Sequence, residues 1–318
     1  MNPSSAHQLD SDSTPTARPP CRVIAVVNQK GGVGKTTTAV NLAACFGVSE
    51  RATLLIDLDP QGNASSAYGV VNPPRQVYDT LIGAATIKEA VVQTELESLH
   101  LLPAGPDLVG AEIELAAQED RAGQLARAVA DARNQYELIL IDCPPSLGIL
   151  TLNALTAADS ILIPLQCEYY ALEGLARLME TRDLVRDQLN PKLELEGIAL
   201  TMVDMRNNLA RQVETEVRQH FGDKVYRTRI PRNVRLSEAP SHGKPILLYD
   251  IHSRGAVAYL KLAEEILLKL AAGESAGRTP DPALPGTQTE EAPVNSGSHP
   301  ESQFETTSGS ETGGVSNE

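Results

Sequence analysis

Asn28-Gln29-Lys30-Gly31-Gly32-Val33-Gly34-Lys35-Thr36-Thr37 lies between an apolar run, Val23-Ile24-Ala25-Val26-Val27, and Thr38-Ala39-Val40-Asn41-Leu42-Ala43-Ala44-Cys45-Phe46. The first flank reads as a buried parallel strand and the second as a helix. Strand, glycine turn and helix in that order form the setting of a phosphate-binding loop. Gly31, Gly32 and Gly34 lack a Cβ, so the backbone can bend tightly and aim its N–H groups, those of Val33 and Thr37 included, at phosphate oxygens. The positive end of the following helix adds to that field. Lys35 is placed to reach the β- and γ-phosphates, and the Thr36 hydroxyl to hold Mg²⁺. The plain alternative is a surface turn rich in Gly and Lys, which would not need strand and helix in register around it.

Two more buried strands end in acids. Ala52-Thr53-Leu54-Leu55-Ile56-Asp57 runs into Asp57-Leu58-Asp59-Pro60-Gln61-Gly62-Asn63. Asp57 and Asp59 are two apart and point the same way as the strand ends, and Pro60 and Gly62 break it into a loop. A carboxylate there suits the positioning of an attacking water. Tyr136-Glu137-Leu138-Ile139-Leu140-Ile141-Asp142 has four apolar residues before an acid, the Walker B pattern, so Asp142 is a candidate to hold Mg²⁺. Pro144 and Pro145 after it forbid helix. For either acid the structural alternative is a helix cap.

Short helices are expected at Val77–Ile82 and Ile87–Val92, a strand at Leu99–Leu102, and longer helices at Leu108–Ala117 and Gly123–Arg133. Asp159–Leu165 reads as a strand, Ala171–Leu189 as a helix, Leu193–Val203 as a strand on the far side of the sheet, and Arg254–Leu270 as a last helix. Strands alternating with helices, with no internal repeat, predict an α/β fold: one doubly wound, mostly parallel sheet flanked by helices.

The ordinary G-x-x-x-x-G-K-[ST] loop wants glycine where this chain has Gln29, and Lys30 is an additional lysine. The string Lys-Gly-Gly-Val-Gly-Lys-Thr-Thr resembles the deviant Walker A loop of the MinD/ParA ATPases. That resemblance implies an ATPase in which Lys30 reaches across a dimer interface to the other subunit's nucleotide. It implies that Asp59, in a segment similar to the family's switch I, orients the attacking water. It also places Asp57 beside Thr36 and Asp142 in the magnesium site, and makes Cys143-Pro144-Pro145-Ser146-Leu147-Gly148 similar to the switch II loop that senses the γ-phosphate.

Asp204 to Lys244 differs in composition. Nine bases stand against five acids, +4 in a chain of net charge -14. Such a segment suggests a phosphate-contacting face. Arg211 and Arg218 are two helical turns apart and share one side, although a solvated helix with i,i+4 pairs such as Glu214–Arg218 accounts for the same residues. Arg229-Ile-Pro-Arg-Asn-Val-Arg-Leu-Ser-Glu-Ala-Pro-Ser-His-Gly-Lys-Pro245 resembles the chromosomal ParA (Soj) branch, and the likeness runs from about Arg22 to Leu270. It implies that Arg206 and Arg235 bind DNA without sequence specificity in an ATP-bound dimer. It also implies that Pro231 and Asn233 lie near the adenine, and that a ParB-type centromere-binding protein is the activating partner.

Aromatics make up only 3% and Trp is absent, which argues against base-stacking recognition of single strands. The four cysteines form no C-x-x-C pair, and no apolar stretch reaches spanning length. The expected protein is cytoplasmic, nucleoid-associated when ATP-bound, and free of the membrane. Residues 1–20 are expected to be a disordered arm, 21–272 the ATPase domain, and 273–318 a disordered acidic tail that carries eight acids and one base. A MinD-like spatial regulator of division is the alternative; it would need a basic amphipathic terminus. A plasmid-type relative with a DNA-reading domain would need more than the 20 residues ahead of the first strand.

Overall fold

The apolar runs become β1 (Arg22–Val26), β2 (Thr53–Asp57), β3 (Val92–Gln93), β4 (Leu99–Leu102), β5 (Leu138–Asp142), β6 (Ser160–Gln166), β7 (Glu194–Val203) and β8 (Val225–Pro231). This computed structural model describes residues 20–276. The expected arm at 1–20, apart from residue 20, and most of the expected tail therefore lie outside the described residues. The strands form one sheet in the order β3-β4-β2-β5-β1-β6-β7-β8. Every pairing is parallel except that of the two-residue edge strand β3 with β4.

Alternation along the strands divides the core between two faces. Val23 and Ala25 join the cluster covered by α3 (Val77–Leu81), α4 (Ile87–Ala90), α5 (Leu108–Ala116), α6 (Gln124–Ala132), α7 (Ile149–Ala157), α8 (Ala171–Gln188) and α9 (Asn208–Phe221). Ile24 and Val26 join the opposite cluster. That one is covered by α1 (Lys35–Val48), α2 (Asn63–Ser66), α10 (Val234–Glu238), α11 (Ile246–Tyr249) and α12 (Arg254–Ala276). α12 turns Tyr259, Leu262, Ala263 and Ile266 into the core, while Val257 is exposed. α12 also runs on through Gly273 to Ala276, past the boundary expected at 272. None of the described helices is long and apolar enough to cross a membrane.

One expected placement is corrected. β7 is not the outer strand, because β8 pairs with it and forms the edge. The approach is close at Gly197, where a Cβ would stand 2.5 Å from the Tyr226 ring and 2.8 Å from the Lys224 carbonyl. Glycine is what lets β8 dock there.

Parallel register aligns the strand ends. Val26 and Asp57 both pair with Asp142. The loops after β1, β2 and β5 therefore emerge side by side at the carboxyl edge, where open α/β sheets place their ligands.

Candidate nucleotide site

The loop leaves β1 and returns as α1, whose amino end carries no side-chain cap. Gly34, at φ 90°, and Gly32, at φ 75°, take the left-handed turn that other residues avoid. A Cβ on Gly31 or Gly32 would meet nothing within 4 Å, so the loop encloses an open cradle. From behind, Thr201 at the end of β7 donates its hydroxyl to the Val33 carbonyl at 2.8 Å. Met202 beside it holds φ 51°. Asn41 ties α1 down, donating to the Thr37 carbonyl at 2.7 Å and accepting from the Ile246 N–H at 2.8 Å. A cradle of uncapped backbone N–H groups in a braced loop suits phosphate.

The two lysines differ. Lys35 is buried, and its ammonium donates to the Lys30 carbonyl at 3.3 Å. Burial lowers its pKa, and the nearby Asp142, Cys143 and Asp59 work against that fall. Lys30 is exposed and its ammonium pairs with Glu168. Sequence reasoning missed Glu168, since nothing in the spacing links residues 138 positions apart.

The acids differ as well. Asp57 is fully buried and accepts from the Ser65 N–H at 2.8 Å, the Ser65 hydroxyl at 2.7 Å and the Asp59 N–H at 3.3 Å. Burial raises its pKa to about 6 against these hydrogen bonds. Ser65, which the sequence did not single out, also accepts from the Ala104 N–H at 3.0 Å. Asp57 therefore ties α2 and the following strand loop together.

Asp142 is also fully buried, yet neither carboxylate oxygen has a hydrogen-bond partner among the described residues. Burial, then the Asp57 carboxylate, push its pKa well above the usual range. The Thr36 hydroxyl approaches it and pulls the other way without completing a hydrogen bond. An orphaned buried carboxylate beside a threonine hydroxyl fits a hard cation. Among the described residues no three His, Cys, Asp or Glu side chains converge as a metal cluster. A cation here would therefore rest on Thr36, Asp142 and phosphate oxygens, with Asp57 behind. Asp59 is nearly buried and its Oδ1 accepts from the Gln61 N–H at 3.0 Å.

The arginines separate into two groups. Arg206 is 91% exposed and, among the described residues, its side chain pairs with neighbouring Asp204 alone. Arg211 is exposed beside Asn208. Arg235, about half exposed, meets Glu238 and Asp250. Arg218 turns inward instead: it pairs with buried Glu214 at 2.8 Å and donates to the Tyr226 carbonyl at 3.1 Å. Arg229 joins Glu214 from β8. The i,i+4 reading of Glu214–Arg218 is thus what the structure shows, with Glu214 buried rather than solvated. Pro231 ends β8, and Asn233 caps α10, its Oδ1 accepting from the Arg235 N–H at 2.8 Å.

Comparison with known proteins agrees with this geometry. A family model described as an AAA domain matches residues 21–195. The chain is 56% identical over 248 residues to the chromosome partitioning protein ParA of Myxococcus xanthus, covering 77% of this chain and 88% of that one. It is 55% identical over 247 residues to the sporulation initiation inhibitor protein Soj of Bacillus subtilis, covering 77% and 98%. Among solved structures, a cobyrinic acid a,c-diamide synthase from Mycobacterium smegmatis with bound ADP and magnesium superposes with a TM-score of 0.69 at 37% identity, covering 83% of this chain and 99% of that one. Likeness of this depth, spanning the phosphate loop and most of the length of each relative, places the chain in the ParA/Soj family of chromosome-partitioning ATPases: it hydrolyses ATP.

Proposed function

We propose that this ATPase works as a nucleotide-timed DNA clamp. ATP occupies the cradle after β1, with Lys35 on its β- and γ-phosphates. Thr36 and Asp142 would hold Mg²⁺, which when bound offsets phosphate charge. The observation that carries the reading is the division between lysines. Lys35 is buried among acids, whereas Lys30 stands exposed at the loop's outer edge. An exposed lysine there can serve a second protomer's nucleotide, which makes ATP part of a dimer interface.

Dimerisation unites two copies of the segment bearing Arg206, Arg211 and Arg235, which grip the phosphate backbone without reading bases. Asp59 orients the attacking water. Loss of the γ-phosphate releases the interface and then the DNA, because the two states differ in affinity for the duplex. A ParB-type protein would accelerate that step, and the ATP-bound form would reside on the nucleoid.

Binding to random-sequence duplex with ATP, ADP or no nucleotide tests this for the wild type, Lys30→Ala and Arg235→Ala. Tight binding only with ATP, lost in both variants, is expected. Two or three phosphate contacts per protomer give the dimer a log–log salt slope of about -4 to -5. Binding that ignores nucleotide would refute the proposal.

A further inference from the structure

The Lys30–Glu168 pair joins two segments whose backbones are held by hydrogen bonds other than the pair itself. The Lys30 N–H donates to Asn28 Oδ1 at 3.0 Å, and Asn28 Nδ2 donates to the Pro164 carbonyl at 2.8 Å. Opposite, the Glu168 N–H donates to the Gln166 carbonyl, and the Glu168 carbonyl accepts from the Ala171 N–H, both at 2.9 Å. Both paired side chains are nearly half exposed. The pair can therefore open by side-chain rotation alone, with the loop unmoved. Tyr169 and Tyr170 follow at once, 74% and 69% exposed, packed edge to face at 4.9 Å. Two large aromatic rings in solvent beside a phosphate loop are suited to burial against another protein surface.

We infer that Glu168 is a positioning residue that acts through Lys30 and sets the threshold for dimerisation. In the lone protomer its carboxylate holds the Lys30 ammonium within its own chain. Closure of two protomers then breaks two such pairs as each lysine turns to the other subunit's phosphates, while the Tyr169 and Tyr170 rings meet the second copy. This inference rests on the ATP-closed dimer proposed above. An exposed pair is weak singly, but a symmetric dimer opens two, so the threshold is raised by about two- to thirtyfold in dimer dissociation constant.

Sedimentation of the full chain with a slowly hydrolysed ATP analogue and magnesium tests it, comparing wild type, Glu168→Gln and Lys30→Ala. Glu168→Gln is expected to dimerise at about two- to thirtyfold lower protein concentration than wild type, with an unfolding midpoint lowered by no more than about 4 °C. The gap should close as salt rises towards about 0.5 M, because screening already weakens the exposed pair. Unchanged or weaker dimerisation of Glu168→Gln overturns the inference, and so does a gap that persists at high salt, which would mark a packing effect. If all three proteins stay monomeric, the dimer reading itself fails.

Discussion

Asp57 and Asp142 are register partners on adjacent strands with opposite surroundings: three donors satisfy the first and none the second. One acid is built into the protein, and the other is left for something the protein binds.

Asp142→Asn should therefore stabilise the nucleotide-free chain. It removes a buried, unpaired acid beside another acid, worth about 1–3 kcal/mol. The same change should abolish the stabilisation that ATP with magnesium confers on wild type, and lower hydrolysis at least about 100-fold. Thermal unfolding with and without ligand, alongside phosphate release, reads both effects. A variant that loses stability without ligand would contradict the orphaned state of this carboxylate.

Asp59→Ala should separate binding from turnover. Among the described residues its carboxylate accepts only the Gln61 N–H, so the loop loses one hydrogen bond and the fold is spared. Nucleotide affinity should hold within a few-fold, while hydrolysis falls about 100-fold or more. Filter binding and single-turnover kinetics distinguish this from general damage to the site.

Glu214 gives a pH dependence of known sign. Burial raises its pKa, but Arg229 and Arg218 outweigh that and hold it below the usual 4.5. A lowered folded pKa means the carboxylate's stabilisation is present above 4.5 and lost as pH falls through the lower folded value. Glu214→Gln should cost about 1–3 kcal/mol at neutral pH, since Arg229 is half exposed and keeps its solvent. It should also flatten the acid limb of the stability curve, as measured by denaturant midpoints across pH.

Arg206→Ala and Arg218→Ala should fail in different assays. Losing Arg206 removes an exposed cation, lowering DNA affinity and the salt slope by about 1 per protomer with the unfolding midpoint unchanged. Losing Arg218 removes its bond from α9 to the Tyr226 carbonyl of β8 and leaves Glu214 with Arg229 alone, so the midpoint falls. Midpoints and salt slopes measured on both variants would expose a reversal of these roles.

Much of this was legible because the central strands are short apolar runs buried on both faces, and the glycine loop sits in register between β1 and α1. Asp57, Asp59 and Asp142 were readable as acids at strand ends for the same reason. β8 was not, although Tyr226, Thr228 and Ile230 alternate with Arg227 and Arg229. At a sheet edge the outward positions reach solvent, so charge density there outweighed the two-residue period. β3 is too short to carry any period. Glu168 and Ser65 escaped because their partners are fixed by tertiary packing. Arg218 could be counted as a surface base only while the burial of Glu214 was unknown.

The brace from Thr201 to Val33 spans 168 residues of chain. A ribosome needs on the order of 10–30 s to add that much polypeptide. Asp57 and then Asp142 are added during that interval, and for its last 59 residues every acid of the site exists while the strand that steadies the loop from behind is still incomplete. A nascent fragment ending before β7 would display every signature of the motif on an unsupported loop. Competence to hold ATP would then arrive late and abruptly in synthesis, with the docking of the second half of the sheet.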